Sequence, residues 1–252
     1  MTELLPLLGA FVLGTTIGSF ANVCIFRLPR RQSLIAPASH CPRCNAAILP
    51  HQNVPILSYL FLRGRCARCR EPISVRYPLV ELLTGVLFLL VYRKLGPTWQ
   101  GVEAAVLLSA LVVVSFIDLE HKLVPDMITL PGIAVGLLFG FLVSMNHVLD
   151  LLLGVLLGGG LFYLIALVSR GGMGGGDIKL IAMIGAFVGW QLTLVTIFAG
   201  ILLGSLVAIA LLILGLKGRK DMIPFGPFLA LGAVGALFYG KVIIFWYLSL
   251  MG

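Results

Sequence analysis

Charge is what this sequence has least of. Only 11% of its 252 residues are Asp, Glu, Lys or Arg, while 60% are hydrophobic and the mean hydropathy is +1.08. An average soluble domain is about 25% charged, so a water-soluble fold would have to hide more apolar surface than its volume allows. Disordered and coiled-coil readings fall with it. The five cysteines are an odd set and do not make a disulfide scaffold. GxSxG, HExxH and Walker patterns are missing too. What remains is an all-α polytopic membrane protein.

A helix needs about 20 mostly apolar residues to cross a bilayer. That rule predicts about eight transmembrane helices: Leu4–Phe26, Tyr77–Tyr92, Gly101–Ile117, Met127–Met145, Leu149–Val168, Ile178–Trp190, Leu192–Leu216 and Phe225–Leu248. The sixth is short and could be a partial span, which leaves seven open. The first is not expected to be a cleaved signal peptide, because its leader MTELLP is acidic and its apolar stretch exceeds an h-region. The organisation is therefore a first transmembrane helix (1–26), a polar loop (27–76) and a transmembrane core (77–252).

Basic residues set the orientation. Between Arg27 and Arg76 there are nine Lys and Arg against one acid, Glu71. Lys122, Arg170, Lys179, Lys217, Arg219 and Lys220 fall on the same side with eight spans, which puts 15 of the 18 basic residues there. The positive-inside rule makes that side cytoplasmic. The net charge of +8 then reads as attraction to anionic lipid, with no nucleic acid implied. Gly132, Gly136 and Gly140, and Gly200 and Gly204, are expected to let helix backbones approach closely.

The cytoplasmic loop carries Cys41-Pro42-Arg43-Cys44 and, after 21 intervening residues, Cys66-Ala67-Arg68-Cys69. Two CxxC pairs offer the four soft thiolates of a tetrahedral Zn²⁺ site. The gap slightly exceeds the usual ribbon spacing, but one more residue in a loop costs almost nothing. A closed, structural, zinc-ribbon-like site is expected; redox use and a metal-free loop are the alternatives. His40 and His51 flank the site as solvated histidines or substitute ligands. The fifth cysteine, Cys24, lies in an apolar run as a small buried hydrophobe.

Half of the ten acids, Glu103 and Asp150 among them, lie in or near loops or span ends and call for no function. Asp118 and Asp177 differ. Asp118 closes the apolar run SALVVVSFID, and Asp177 follows GGMGGG and opens the next apolar helix. An acid at the membrane edge is costly and marks a partner or a task. The predicted topology puts both at the same depth. Two neighbouring carboxyl groups in a low-dielectric site share a proton, so one can take a proton from water while the other donates to a carbonyl oxygen. Gly174, Gly175 and Gly176 would let a substrate strand come close. Acids that merely cap helices, or a proton-coupled channel or transporter using the same pair, are the competing readings.

These motifs resemble the type IV prepilin peptidases, membrane aspartic proteases of the GxGD kind. The likeness runs through Gly18-Ser19-Phe20-Ala21-Asn22-Val23, Arg27-Leu28-Pro29, both CxxC pairs and Arg76–Gly85. It continues through Asp118, Val124-Pro125-Asp126 and Gly172–Leu180. The four cysteines mark the bifunctional long form. The resemblance implies cleavage of a short basic leader after a glycine, on the cytoplasmic side of the inner membrane, from type IV prepilins or type II secretion pseudopilins. It then implies N-methylation of the new N-terminal residue with S-adenosylmethionine. Mapped by motif, Asp118 and Asp177 are the catalytic pair. Gly174, Gly175, Gly176, Lys179 and Lys122 are expected to support it. Glu81 and Gly85 are the methyl-transfer candidates, with Asn22 and Arg27 near the substrate. The competing roles are a buried acid for Glu81, helix packing for Gly85, a polar helix contact for Asn22 and a positive-inside anchor for Arg27.

Overall fold

The computed structural model describes residues 4–169, 173–218 and 221–250. Glu3, Arg170, Gly172, Arg219 and Lys220, used in the charge and motif reading, lie outside the described residues. Among the described residues the regular elements are helical: α1 (Leu4–Arg27), the short α2 (Leu57–Phe61), α3 (Arg76–Leu95), α4 (Trp99–His121), α5 (Asp126–Val143), α6 (Met145–Val168), α7 (Gly175–Ile213) and α8 (Gly226–Ser249). No strand forms among them, only two isolated β-bridges in the loop after α1.

Local chemistry sets the helix ends. Pro29 follows α1 and turns the chain through a 3₁₀ turn at Leu28–Arg30, since proline cannot donate to the ladder. α3 stops at Gly96, whose positive φ of 66° suits a residue without Cβ and whose N–H returns to the Tyr92 carbonyl. α4 closes on Lys122, at φ 53°, whose N–H bonds the Asp118 carbonyl at 2.8 Å. Pro125 then sets the extended entry into α5.

Among the described residues, six helices are long and apolar enough to cross a membrane: α1, α4, α5, α6, α7 and α8. The expected eight are not all distinct. Tyr77–Tyr92 falls in α3, which carries Arg76, Glu81, Arg93 and Lys94 within 20 residues and is not among the six. The spans expected at 178–190 and 192–216 form one 39-residue element, α7, broken at Gly189, where φ 77° and ψ 173° are not helical. A Cβ there would run into the Asp150 carboxylate. Asp150, expected to need no role, therefore sits against the break. As a straight rod α7 would reach roughly 58 Å, nearly twice a hydrocarbon core of about 30 Å.

The chain forms two compact units, Met1–Val113 and Val114–Gly252. In the first, α1 lies directly on α3. Methyl groups at Gly14 and Gly18 would come within 2.7 Å of Phe88 Cβ and 2.8 Å of Glu81 Cα. Gly85 answers from α3, where a methyl would meet Thr15 Cγ2 at 2.7 Å. In the second, α7 packs on α5, α6 and α8. Its residues Leu180 to Phe187 are all buried. The expected packing glycines behave as such: Gly132 faces Met183, Gly136 the Ala186 carbonyl, Gly140 Leu151, and Gly200 and Gly204 meet Leu229 and Phe225 of the α8 segment. Small residues allow this approach where lipid supplies no hydrophobic drive.

Candidate functional site

Asp118 and Asp177 both belong to the second unit. Asp118 lies in the last turn of α4, only 5% exposed. Asp177 lies in the first turn of α7, behind the extended Gly174 that caps the helix, and its N–H bonds the Gly174 carbonyl at 3.1 Å. The two carboxyl groups are close enough for the charge of Asp118 to act on Asp177. One feature escaped the sequence reading. The Gly226 N–H, at the start of α8, donates to Asp118 Oδ2 at 2.8 Å. That bond constrains the rotation of the carboxyl group. The Gly226-Pro227 pair was the available signal, because proline favours the first turn of a helix.

The glycine run has a steric basis. A methyl on Gly176 would sit 2.7 Å from Val124 Cβ, and one on Gly174 would sit 3.3 Å from Asp177 Oδ2. The segment after α4 can therefore lie against the start of α7. A second tie crosses the same gap: Lys179 Nζ is 2.7 Å from both oxygens of Asp126. Lys179 is thus bound to the first residue of α5. Lys122, the other expected support, contributes its left-handed backbone at the end of α4. Glu103 was expected to sit unremarkably near a span end. It is instead 7% exposed, with Oε1 lacking a hydrogen-bond partner among the described residues.

In the first unit, the two CxxC pairs fold as near copies. Each is closed by a β-bridge, His40 to Ala47 and Arg65 to Pro72. Asn45 and Arg70, each directly after its pair, take positive φ angles of 53° and 61°. Their N–H groups return to the carbonyls of Cys41 and Cys66. The four Sγ atoms lie within 4.8 Å of one another. A tetrahedron of Zn–S bonds near 2.3 Å has edges of about 3.8 Å, and Cys41 Sγ is 3.8 Å from Cys69 Sγ. The donor set fits a four-thiolate metal, and neither His40 nor His51 joins the cluster. N–H groups of Cys69 and Arg68 lower the Cys66 thiol to about 6. The Glu71 N–H favours the Cys69 thiolate, but desolvation and the thiols of Cys66, Cys44 and Cys41 still push Cys69 up to about 12. Arg43 and Glu71 join the two knuckles by a 3.1 Å ion pair at the surface.

Between these knuckles, α1 and α3 lies a cavity of about 1310 Å³. Arg27, 7% exposed, holds one side by donating to the carbonyls of Ser33 and Pro37 at 2.8 and 2.6 Å. Glu81 lines the opposite side; its Oε2 accepts the Ile56 N–H at 2.7 Å, and Ser19 also bonds it. Gly85 is not part of this lining and serves as an α1 contact.

These features define a multi-helix membrane protein with paired acids at two helix ends and a four-thiol loop. The family described as Bacterial Peptidase A24 N-terminal domain matches residues 12–95, and the Type IV leader peptidase family matches residues 105–209. The prepilin leader peptidase/N-methyltransferase of Aeromonas salmonicida (strain A449) is 39% identical, over 95% of this chain and 92% of that protein. The protein of the same name from Pseudomonas aeruginosa is 37% identical over 96% and 93%. That of Myxococcus xanthus is 43% identical over 81% of this chain and 62% of its own length. No solved structure matches. The chain belongs to the type IV leader peptidase family.

Proposed function

We propose that this protein cleaves the basic leader of type IV prepilins or type II secretion pseudopilins after a glycine and then methylates the new N-terminus. The observation that supports the first step is that Asp118 and Asp177 end and begin helices of one unit, within reach of each other's charge, with the Gly226 N–H holding Asp118. One carboxylate draws a proton from water as that water attacks the scissile carbonyl. The other, protonated, donates to the carbonyl oxygen. The proton then passes to the leaving amine. Lys179 and Asp126 keep the glycine run in register with the end of α4, so both acids face one peptide bond.

The reading places the enzyme in the bacterial inner membrane with the tetracysteine loop in the cytoplasm. Eight crossings follow if α3 crosses and α7 divides at Gly189. The organisation is then the first helix (1–26), the loop (27–76) and the peptidase core (77–252). Cys41, Cys44, Cys66 and Cys69 would hold one structural zinc, which completes a loop with little core of its own. S-adenosylmethionine, when bound, supplies an activated methyl group. The first-unit cavity has room for it, since its volume of about 1310 Å³ exceeds the roughly 300–1,000 Å³ of ordinary ligand pockets. Glu81 is the methyl-transfer residue in that wall, and Gly85 sets the α1–α3 spacing behind it.

The test is incubation of purified protein with a prepilin whose leader ends in glycine, with and without S-adenosylmethionine, followed by mass spectrometry of the N-terminus. Loss of the leader, then a gain of one methyl only with the donor, is expected. An intact leader, together with acid-dependent ion flux in proteoliposomes, would overturn the reading.

A further inference from the structure

Asn22, a buried amide, lines the first-unit cavity. It is 2% exposed, on α1, at the level where α1 and α3 touch. Its Nδ2 donates to the carbonyl of Gly18 at 3.3 Å and to that of Tyr77 at 3.0 Å. Both partners accept only, so the amide can face them in one orientation. Oδ1 therefore points the other way, and it has no partner among the described residues. A buried amide oxygen left without a donor is unfavourable, and a bound donor would relieve this. Tyr77 is one helical turn before Glu81, so Asn22 lies beside the turn that carries this carboxyl group. Both residues line the cavity.

We propose that Asn22 Oδ1 and Glu81 together bind a primary ammonium group, the α-amino terminus freed by leader cleavage. This rests on the methyl-transfer reading given above and names its acceptor subsite. The wall offers directed oxygen acceptors. An ammonium has N–H donors to meet them, whereas the sulfonium centre of the methyl donor has none. The donor's own amino group is the rival occupant, which the S-adenosylhomocysteine arm of the test detects. In the transfer, the amine nitrogen's lone pair forms the new N–C bond, and the methyl–sulfur bond breaks with its electron pair left on sulfur. The proton shed by the ammonium passes to the Glu81 carboxylate. Oε2 of Glu81 is held by Ile56, itself at a positive φ of 62°, so the carboxyl group cannot swing away from the wall.

The probes are a short peptide with a free N-terminal phenylalanine and its N-acetylated twin. Calorimetry titrates each into the full-length protein in detergent with S-adenosylhomocysteine present. Wild-type protein is expected to bind the free amine about tenfold or more tightly than the acetylated peptide, as one charged hydrogen-bonded contact would give. Asn22→Ala and Glu81→Gln should each bring that ratio near one and leave S-adenosylhomocysteine affinity within about twofold. Glu81→Gln retains an oxygen for the Ile56 N–H, so it reports even if Asn22→Ala unfolds. A ratio that persists in folded variants, or a loss of S-adenosylhomocysteine affinity instead, overturns the assignment. So does Asn22-dependent binding of phosphatidylethanolamine micelles without peptide discrimination, because a lipid would then own the site. Wild-type protein that methylates a pre-cut peptide yet shows no amine preference refutes only this wall. Wild-type protein that does not methylate refutes the reading beneath it.

Discussion

The N–H of Gly226 and Oδ2 of Asp118 meet at 2.8 Å, although the residues are 108 positions apart. A methyl group on Gly226 would also come 2.8 Å from that oxygen. The carboxyl group and the start of α8 are thus fitted to each other, and only glycine leaves room for the bond.

Gly226→Ala is therefore expected to insert normally but to displace Asp118. A shift of about 1 Å at a reacting group can cost about 10²-fold in rate. Cleavage of a prepilin, followed on gels, should fall by that order, while methylation of a pre-cut peptide stays near wild type. Unchanged cleavage would show that this bond does not govern the acid.

Asp118→Asn and Asp177→Asn should each reduce cleavage by about 10²–10⁴-fold, the range for loss of one acid–base group. Neither should prevent methylation of a peptide supplied already cut. Mass spectrometry reads both steps in one sample. Wild-type cleavage by either variant removes the paired-acid mechanism.

Lys179 and Asp126 are 40% and 55% exposed at the side chain, so their ion pair adds only about 0–1 kcal/mol of stability. Its value lies in position. Lys179→Ala and Asp126→Ala should lower cleavage by similar, modest factors, and the double variant should be no worse than either alone. Additive losses would mean the two act separately.

Purified protein is expected to carry about one zinc per chain, and Cys41→Ser or Cys66→Ser should abolish it, as elemental analysis would record. Zinc must displace the proton that Cys69, raised to about 12, retains at neutral pH. Affinity should accordingly rise with pH, as for any site that releases protons on binding. Metal loss should harm folding of the loop and methylation more than peptide hydrolysis.

Hydropathy was enough to locate α1, α4, α5, α6 and α8 to within a few residues, because a bilayer imposes length and apolarity on each. The four cysteines were legible for a similar reason: their ligand chemistry is written in the spacing. The break in α7 was placed within two residues, as the boundary between spans ending at 190 and starting at 192, but its cause, a backbone angle and a neighbouring carboxylate from α6, was not legible. Other features left no local trace. The Gly226–Asp118 and Lys179–Asp126 contacts join segments 108 and 53 residues apart, so no periodicity reveals them. Glu103 shows the opposite error. A position near a span end was read as needing no function, and the side chain is buried.

The break at Gly189 divides α7 by environment as well as by direction. The stretch carrying Asp177 is enclosed from Leu180 to Phe187 by protein, while Phe198, Leu206 and Ile213 beyond the break are open to the surroundings. A thicker or thinner bilayer acts on the outer part, which can tilt about the glycine at modest cost. The inner part feels little of that strain, so acyl-chain length becomes a mechanical variable Asp177 is insulated from.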